Sequence, residues 1–252
     1  MLHAHHDVQC LHDPLLLVLS YLVSVLGAFT ALQLAIAIPA ARTAAQRLRA
    51  VLMAGTAMGG GGIWAMHFIA MLACQMGIAV TYDLTLTVLS AFIAIASCAL
   101  GLGVAGTGRF GWSKLLAAGL FMGLGVAGMH YTGMAAMRMP AEIHYHTGIV
   151  AASIGIAIVA SIAALWLAFN LRGWAQMLGS ALVMGVAVCG MHYTGMYAAS
   201  FVRNGQDVLQ ATAGGIGGAH LGAGIFGITT LLLAAALVMA TLRRHRRAAA
   251  AI

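Results

Sequence analysis

Three near-copies of a six-residue string recur at almost equal intervals along this chain. They read Met-His-Phe-Ile-Ala-Met at 66–71 and Met-His-Tyr-Thr-Gly-Met at 129–134 and 191–196, so that their histidines are 63 and then 62 residues apart. On a helix, residues four positions apart lie on the same face. Each copy therefore presents an imidazole beside a thioether, in the pairs His67/Met71, His130/Met134 and His192/Met196. This combination of ligands favours a soft transition metal, above all copper.

The sequence around these motifs is apolar enough to place the chain in a membrane. Hydrophobic residues make up 62% of it and charged residues only 7%, a balance typical of membrane proteins. Runs of roughly 20 apolar residues, the length that crosses a bilayer core, occur seven times, at about 14–39, 48–72, 85–106, 115–137, 148–170, 176–200 and 221–242. Because backbone groups in lipid must bond within their own segment, we predict an all-α membrane protein with seven transmembrane helices.

The period of about 63 residues covers two helices, which predicts three parallel two-helix units followed by a seventh helix. A glycine stands seven residues before each histidine, at Gly60, Gly123 and Gly185. Small residues at these positions allow helices to approach closely in lipid. The run of four glycines at 59–62 also predicts a looser, kinked stretch in the second span.

The distribution of charge predicts the orientation of the chain. Ten of the twelve basic residues fall on one side of the predicted spans, whereas all five acidic residues fall on the other with Arg138 and Arg203. Basic loops face the cytoplasm, so we predict the N-terminus outside, the C-terminus inside and all three motifs near the external face. Since the basic residues lie in short loops and a C-terminal stub, we expect no nucleic-acid partner.

The chain divides into a His-rich external tail at 1–12, a seven-helix membrane domain at 13–242 and a basic cytoplasmic stub at 243–252. The histidines of the tail indicate either metal binding or an incidental unstructured segment. Cys10 and Cys74 are predicted near the same membrane face, where they either pair, bind metal or stay apart.

The string Met-His-Tyr-Thr, with Ile63-Trp64-Ala65-Met66-His67-Phe68 in the first unit and Tyr82-Asp83 opening the second, resembles the MHYT domain. This family consists of bacterial integral-membrane sensor modules, and the resemblance covers about 12–240. It implies a multi-pass protein of the bacterial inner membrane that binds copper near the outer face. The signal it implies is a diatomic gas (O2, CO or NO) or the redox state.

The resemblance also implies a set of copper ligands, namely Met66, His67, Met71, Met129, His130, Met134, Met191, His192 and Met196. Zinc rarely accepts a thioether, so the methionines argue against a zinc site. Haem is the alternative cofactor because His and Met both serve as axial ligands, although three equivalent ligand sets fit copper better.

Four further residues have two interpretations each. Asp13 and Asp83 either accept hydrogen bonds from the imidazoles as outer partners of the metal site or cap helix N-termini. Tyr131 and Tyr193 either donate hydrogen bonds to a bound ligand or belong to the interfacial aromatic belt.

Two functions fit these features. The first is a membrane sensor that signals to a separate cytoplasmic partner, because many family members continue into an output domain and only about ten residues follow the last predicted span here. The alternative is a copper-handling protein for acquisition, buffering or delivery, with a copper protein as its partner. With five acidic residues and none at mid-membrane, we expect no enzymatic activity. Membrane lipid is the other expected partner, and the oligomeric state is left open.

Overall fold

The computed structural model describes residues 8–109, 111–170 and 173–249. Within them, six helices are long and apolar enough to cross a membrane: α1 Pro14–Ala35, α2 Ala44–Ala73, α3 Leu84–Ala105, α4 Trp112–Ala135, α5 Thr147–Asn170 and α6 Trp174–Tyr197. The short helix α7 Val208–Thr212 and the long helix α8 Gly218–Ala249 follow. The predicted all-α fold and its first six spans are therefore confirmed.

The seventh predicted span, 221–242, falls within α8. The apolar stretch found in this helix is Gly218–Leu231, shorter than a span, so a seventh crossing stays a prediction, as does the orientation. Residues 1–7 of the His-rich tail and 250–252 of the basic stub lie outside the described residues. The end of the bundle that carries the three motifs is here termed the histidine end.

The six long helices form a closed ring. Each packs against the helices before and after it in sequence, and α6 packs against α1 to complete the circle. Helix α8 lies outside the ring against α1 and α2. Helix α2 also contacts α4 and α6 across the interior. The three helices that carry the motifs therefore approach one another inside the ring.

Short antiparallel strand pairs join the helices at the histidine end. In each predicted unit, the strand before the first helix pairs with the strand after the second: β1 Leu11–His12 with β2 Cys74–Gln75, β3 Thr81–Tyr82 with β4 Met137–Arg138, and β5 Ala141–Tyr145 with β6 Ala199–Arg203. A backbone hydrogen bond of 2.8 Å accompanies each pair, from Asp13 to Ala73, from Asp83 to Ala136 and from His146 to Ala198. Strand β3 also pairs with β7 Ile216–Gly217.

Asp13 and Asp83 cap the helices that they precede. The Asp13 carboxylate accepts hydrogen bonds from the backbone N–H groups of Leu15 and Leu16 at 2.8 and 3.0 Å. The Asp83 carboxylate accepts one from Leu86 at 3.0 Å. These bonds satisfy backbone donors that a helix start leaves unpaired. Of the two interpretations of these aspartates, the capping interpretation matches the hydrogen bonds that they make.

Asp83 also forms an ion pair with Arg138, whose guanidinium donates a second hydrogen bond to the Ala213 carbonyl at 2.7 Å. The Leu86 amide and the Arg138 guanidinium both favour the carboxylate, so they hold the pKa of Asp83 below its usual range. This contact ties the start of α3 to the end of α4 and to the segment before β7.

Two of the three predicted close-approach glycines lie in tight helix contacts. A Cβ at Gly123 would overlap the backbone of Ile158 in α5, and a Cβ at Gly185 would come within 2.7 Å of the Val25 side chain in α1. Small residues at these points let the neighbouring helices pack closely, as small residues do in lipid.

At the third predicted glycine, Gly60, the contact is looser than at its neighbour Gly59. Residues Thr56–Trp64 of α2 form a π-helix, in which each turn holds more residues than an α-helical turn. A Cβ at Gly59 would overlap the Ala94 carbonyl in α3, whereas a Cβ at Gly60 would meet only the Ile95 side chain, at 3.2 Å. Counting seven residues back from the histidine assumed an unbroken α-helix, and the π-helix shifts the close contact by one.

Substitution by alanine at these two adjacent glycines should therefore affect the stability of the protein differently. We expect Gly59→Ala to lower the thermal midpoint of the protein in detergent, with a loss of about 1–3 kcal/mol because the added methyl group is forced against helix α3. Gly60→Ala is the matched control and should leave the midpoint unchanged or slightly raised, since alanine favours the helix. Equal midpoints for the two variants would contradict the assigned contact.

Candidate metal centre

His67, His130 and His192 meet inside the ring at the histidine end, one from each of α2, α4 and α6. The distance between ring centroids is 4.9 Å for His67 and His130, 5.0 Å for His67 and His192, and 5.1 Å for His130 and His192, all with edge-to-face geometry. All three side chains are at most 1% exposed. The structure thus brings the histidines of the three motifs into one buried cluster.

One nitrogen of each ring points toward the others. The Nδ1 atom of His67 lies 3.0 Å from that of His192 and 3.2 Å from that of His130. Three nitrogens bound to one ion at about 2.0–2.1 Å in a trigonal plane would be about 3.5 Å apart. A small outward movement of the rings would therefore fit a metal ion. Without one, facing Nδ1 atoms at this distance require a shared proton.

The second nitrogen of each imidazole ring makes no hydrogen bond that would offset the cost of its burial. The Nε2 atoms of His67, His130 and His192 are buried, with no hydrogen-bond partner among the described residues. A buried polar group left unpaired costs about 1–3 kcal/mol. Ionisable side chains within membrane helices are expensive, and they mark a functional site by default. Three such rings in contact are not explained by helix packing alone.

The glycine of the repeated motif makes room for these rings. A Cβ at Gly133 would overlap Nε2 of His67, and a Cβ at Gly195 would overlap Nε2 of His130. Each glycine thus accommodates the histidine of the preceding motif. Sequence analysis missed this role, although the glycine stands within the repeated string itself. In the first copy the corresponding residue is Ala70, which is fully buried.

The six motif methionines are all buried. Met71, Met134 and Met196 belong to an apolar cluster at the histidine end, together with Phe68. Met129 and Met191 belong to the larger apolar cluster that fills the rest of the bundle. Methionines of the motifs therefore occur in both apolar clusters of the bundle.

An aromatic side chain supports each imidazole from the next position in sequence. Phe68, Tyr131 and Tyr193 pack edge-on against the preceding histidine, with ring centroids 4.9, 4.8 and 4.9 Å apart. Such pairs contribute about 0.5–1.5 kcal/mol beyond their burial. They also restrict the rotation of each ring, so the imidazoles are held in their convergent orientation.

The two motif tyrosines differ in the partners of their hydroxyl groups. The Tyr131 hydroxyl lies 2.6 Å from the Ser153 hydroxyl on α5, close enough for a hydrogen bond. In the first unit, where phenylalanine replaces tyrosine, the Trp64 indole donates to Ser90 at 3.0 Å instead. The Tyr193 hydroxyl is buried and interacts with Ser20 on α1.

Comparison with known proteins identifies the repeated motif. The family profile described as MHYT, a bacterial signalling protein N-terminal repeat, matches residues 60–118 and 123–181. No solved structure matches the chain.

Several curated relatives are larger signalling proteins. The chain is 39% identical over 236 residues to the bifunctional diguanylate cyclase/cyclic di-GMP phosphodiesterase MucR of Pseudomonas aeruginosa. The matched region covers 92% of this chain and 34% of MucR. It is 39% identical over 197 residues to the cyclic di-GMP phosphodiesterase NbdA of the same organism. This match covers 75% of the chain and 25% of NbdA. It is 28% identical over 205 residues to the signalling protein YkoW of Bacillus subtilis. This match covers 79% of the chain and 25% of YkoW.

The chain spans about a third or less of the length of these relatives. It corresponds to their MHYT region, which is not itself catalytic. The repeated motif, the six apolar helices and these matches lead to one conclusion. The chain belongs to the MHYT family of bacterial membrane signalling proteins.

Proposed function

We propose that this protein is a membrane sensor module that binds copper between His67, His130 and His192. The observation that carries the proposal is the convergence of three Nδ1 atoms in a buried, apolar site. Imidazole is a preferred ligand of copper, and the thioethers of the motif methionines suit Cu(I). In this proposal the histidine end is the outer face of a bacterial inner membrane.

The methionines complete the proposed ligand set. Met71, Met134 and Met196 follow the histidines by four residues and so lie on the same helix faces, one turn nearer the histidine end. Any of them could close the fourth position of a three-histidine site. Met66, Met129 and Met191 adjoin the histidines in sequence and are the second thioether group.

Haem fits this site less well than a single metal ion. A porphyrin accepts two axial ligands, whereas three rings converge here. Their centroids are at most 5.1 Å apart, which leaves no space for a macrocycle between them.

The placement of the ligands on three helices suggests how a signal would be transmitted. His67, His130 and His192 each belong to a different helix, so a change in the distances among their nitrogens moves α2, α4 and α6 relative to one another. Copper supplies a centre whose preferred geometry changes with its oxidation state or with a bound gas. In this proposal the Tyr193 hydroxyl, whose ring packs against His192, donates a hydrogen bond to such a ligand.

The relatives suggest the output of this movement. MucR and NbdA carry the names of cyclic di-GMP enzymes, so we propose a cytoplasmic enzyme of cyclic di-GMP turnover as the signalling partner. The movement would reach it through the arginine-containing loops at the opposite end of the bundle.

A second candidate function is the acquisition, buffering or delivery of copper. His12, at the histidine end, supports it because its ring packs edge-on against Tyr193 at a centroid distance of 5.5 Å. A histidine beside the buried centre is well placed to pass metal to or from it.

Metal analysis of the purified protein tests copper binding. We expect about one copper ion per chain, and we expect the double variant His130→Ala with His192→Ala to lose it because two of three imidazole ligands are gone. The exposed His144 provides a matched control, since His144→Ala should retain the copper. Full copper occupancy in the double variant would rule out this site.

Infrared spectroscopy separates sensing from copper handling. Addition of CO to the Cu(I)-loaded protein should produce a carbonyl stretching band, and Tyr193→Phe should shift that band because it removes the nearby donor. Cu(I)-loaded protein that gives no band with CO, and whose spectrum NO also leaves unchanged, would argue against gas sensing and in favour of copper handling.

A further inference from the structure

The described part of the N-terminal segment lies across the histidine end and is covalently attached there. Cys10 forms a disulfide with Cys74, the residue that follows α2. Strand β1 pairs with β2 so that His12 is directly opposite Cys74. The Val8 N–H group donates to the Phe201 carbonyl at 2.9 Å, which fixes the other end of the segment.

The imidazole of His12 lies between this disulfide and the buried centre. Its Nε2 and Nδ1 atoms are 3.6 and 3.9 Å from Sγ of Cys10. On its other side the ring contacts Tyr193, which in turn packs against His192. His12 is exposed, whereas both cysteines are partly buried. Two sulfur atoms and one imidazole therefore meet at a point that solvent reaches.

We propose that Cys10, Cys74 and His12 form a second soft-metal site that exists only when the disulfide is reduced. Thiolate and imidazole are ligands that favour Cu(I). In the oxidised protein both sulfur atoms are bonded to each other, so the site lacks two of its three ligands. The proposal does not depend on metal binding at the three-histidine centre.

The chemistry balances with a dithiol as reductant. The dithiol gives two electrons and two protons to the Cys10–Cys74 bond, which breaks to two thiols, and the dithiol itself becomes a disulfide. Each protein thiol then releases its proton when the metal binds, because the thiolate is the ligand.

The backbone keeps the three ligands together after reduction. The β1–β2 pairing and the 2.8 Å bond from the Asp13 N–H group to the Ala73 carbonyl do not involve the sulfur atoms. The Cα atoms of Cys10 and Cys74 are 5.2 Å apart, so rotation of the side chains is sufficient to aim both thiolates at one ion. A preformed site of this kind loses little entropy on binding.

The test compares Cu(I) binding by oxidised and reduced samples of the same preparation. Protein is either oxidised with a disulfide reagent or reduced with a dithiol that is then removed without air, and each sample is titrated against a chromogenic Cu(I) chelator. The reduced protein should bind about one more Cu(I) per chain and gain a thiolate-to-copper absorption band. The double variant Cys10→Ser with Cys74→Ser should show no gain on reduction.

A second variant keeps both thiols and so tests the imidazole. His12→Ala should weaken the additional site by about 10-fold or more, since loss of an outer partner alone costs 10–100-fold. His144→Ala, which changes an exposed histidine elsewhere at the histidine end, should retain full affinity.

Two results would overturn the proposal. One is equal Cu(I) binding by the oxidised and reduced proteins. The other is a gain on reduction that persists in the double cysteine variant, which would assign it to Cys98 or Cys189. Copper binding at the three-histidine centre is measured in the oxidised sample. A negative result for one site therefore does not decide the result for the other.

Discussion

Three imidazole rings meet in the apolar interior of the helix ring, and much of the surrounding sequence serves that contact. Gly133 and Gly195 leave the space that the rings of the preceding motifs occupy. Phe68, Tyr131 and Tyr193 hold the rings from the side. The Nε2 atoms stay buried and unpaired among the described residues. An arrangement that costs stability in this way is expected where a protein binds or senses something.

The fold joins the helix ends to one another at the histidine end, whereas deeper in the bundle helix α2 is irregular. At the histidine end, strand pairs, the Asp83–Arg138 ion pair and the Cys10–Cys74 disulfide join the helix ends to one another. Deeper in the bundle, the π-helical turns of α2 interrupt regular α-helical bonding within two turns of His67. Such segments occur often at functional sites. In the proposed sensor, a shift among the three histidines is transmitted along the helices, since their ends are joined at the histidine end.

Much of this architecture could be predicted from the sequence. The six confirmed spans followed from the length of apolar runs, and the common location of the three motifs at one end of the bundle followed from their positions in alternate spans. The closer contact at Gly59 was missed because spacing alone does not reveal a π-helix. The role of Gly133 and Gly195 was missed because it depends on which helix lies opposite, and a sequence does not state that. The same holds for His12, whose neighbours come from β2 and α6.

X-ray absorption spectroscopy at the copper edge tests the central claim most directly. It reports the ligands of the metal in the intact protein without any substitution. Oxidised protein loaded with one copper per chain should show a shell of about three nitrogen neighbours with the outer scattering typical of imidazole rings. A shell made of sulfur alone, with no imidazole scattering, would contradict the account.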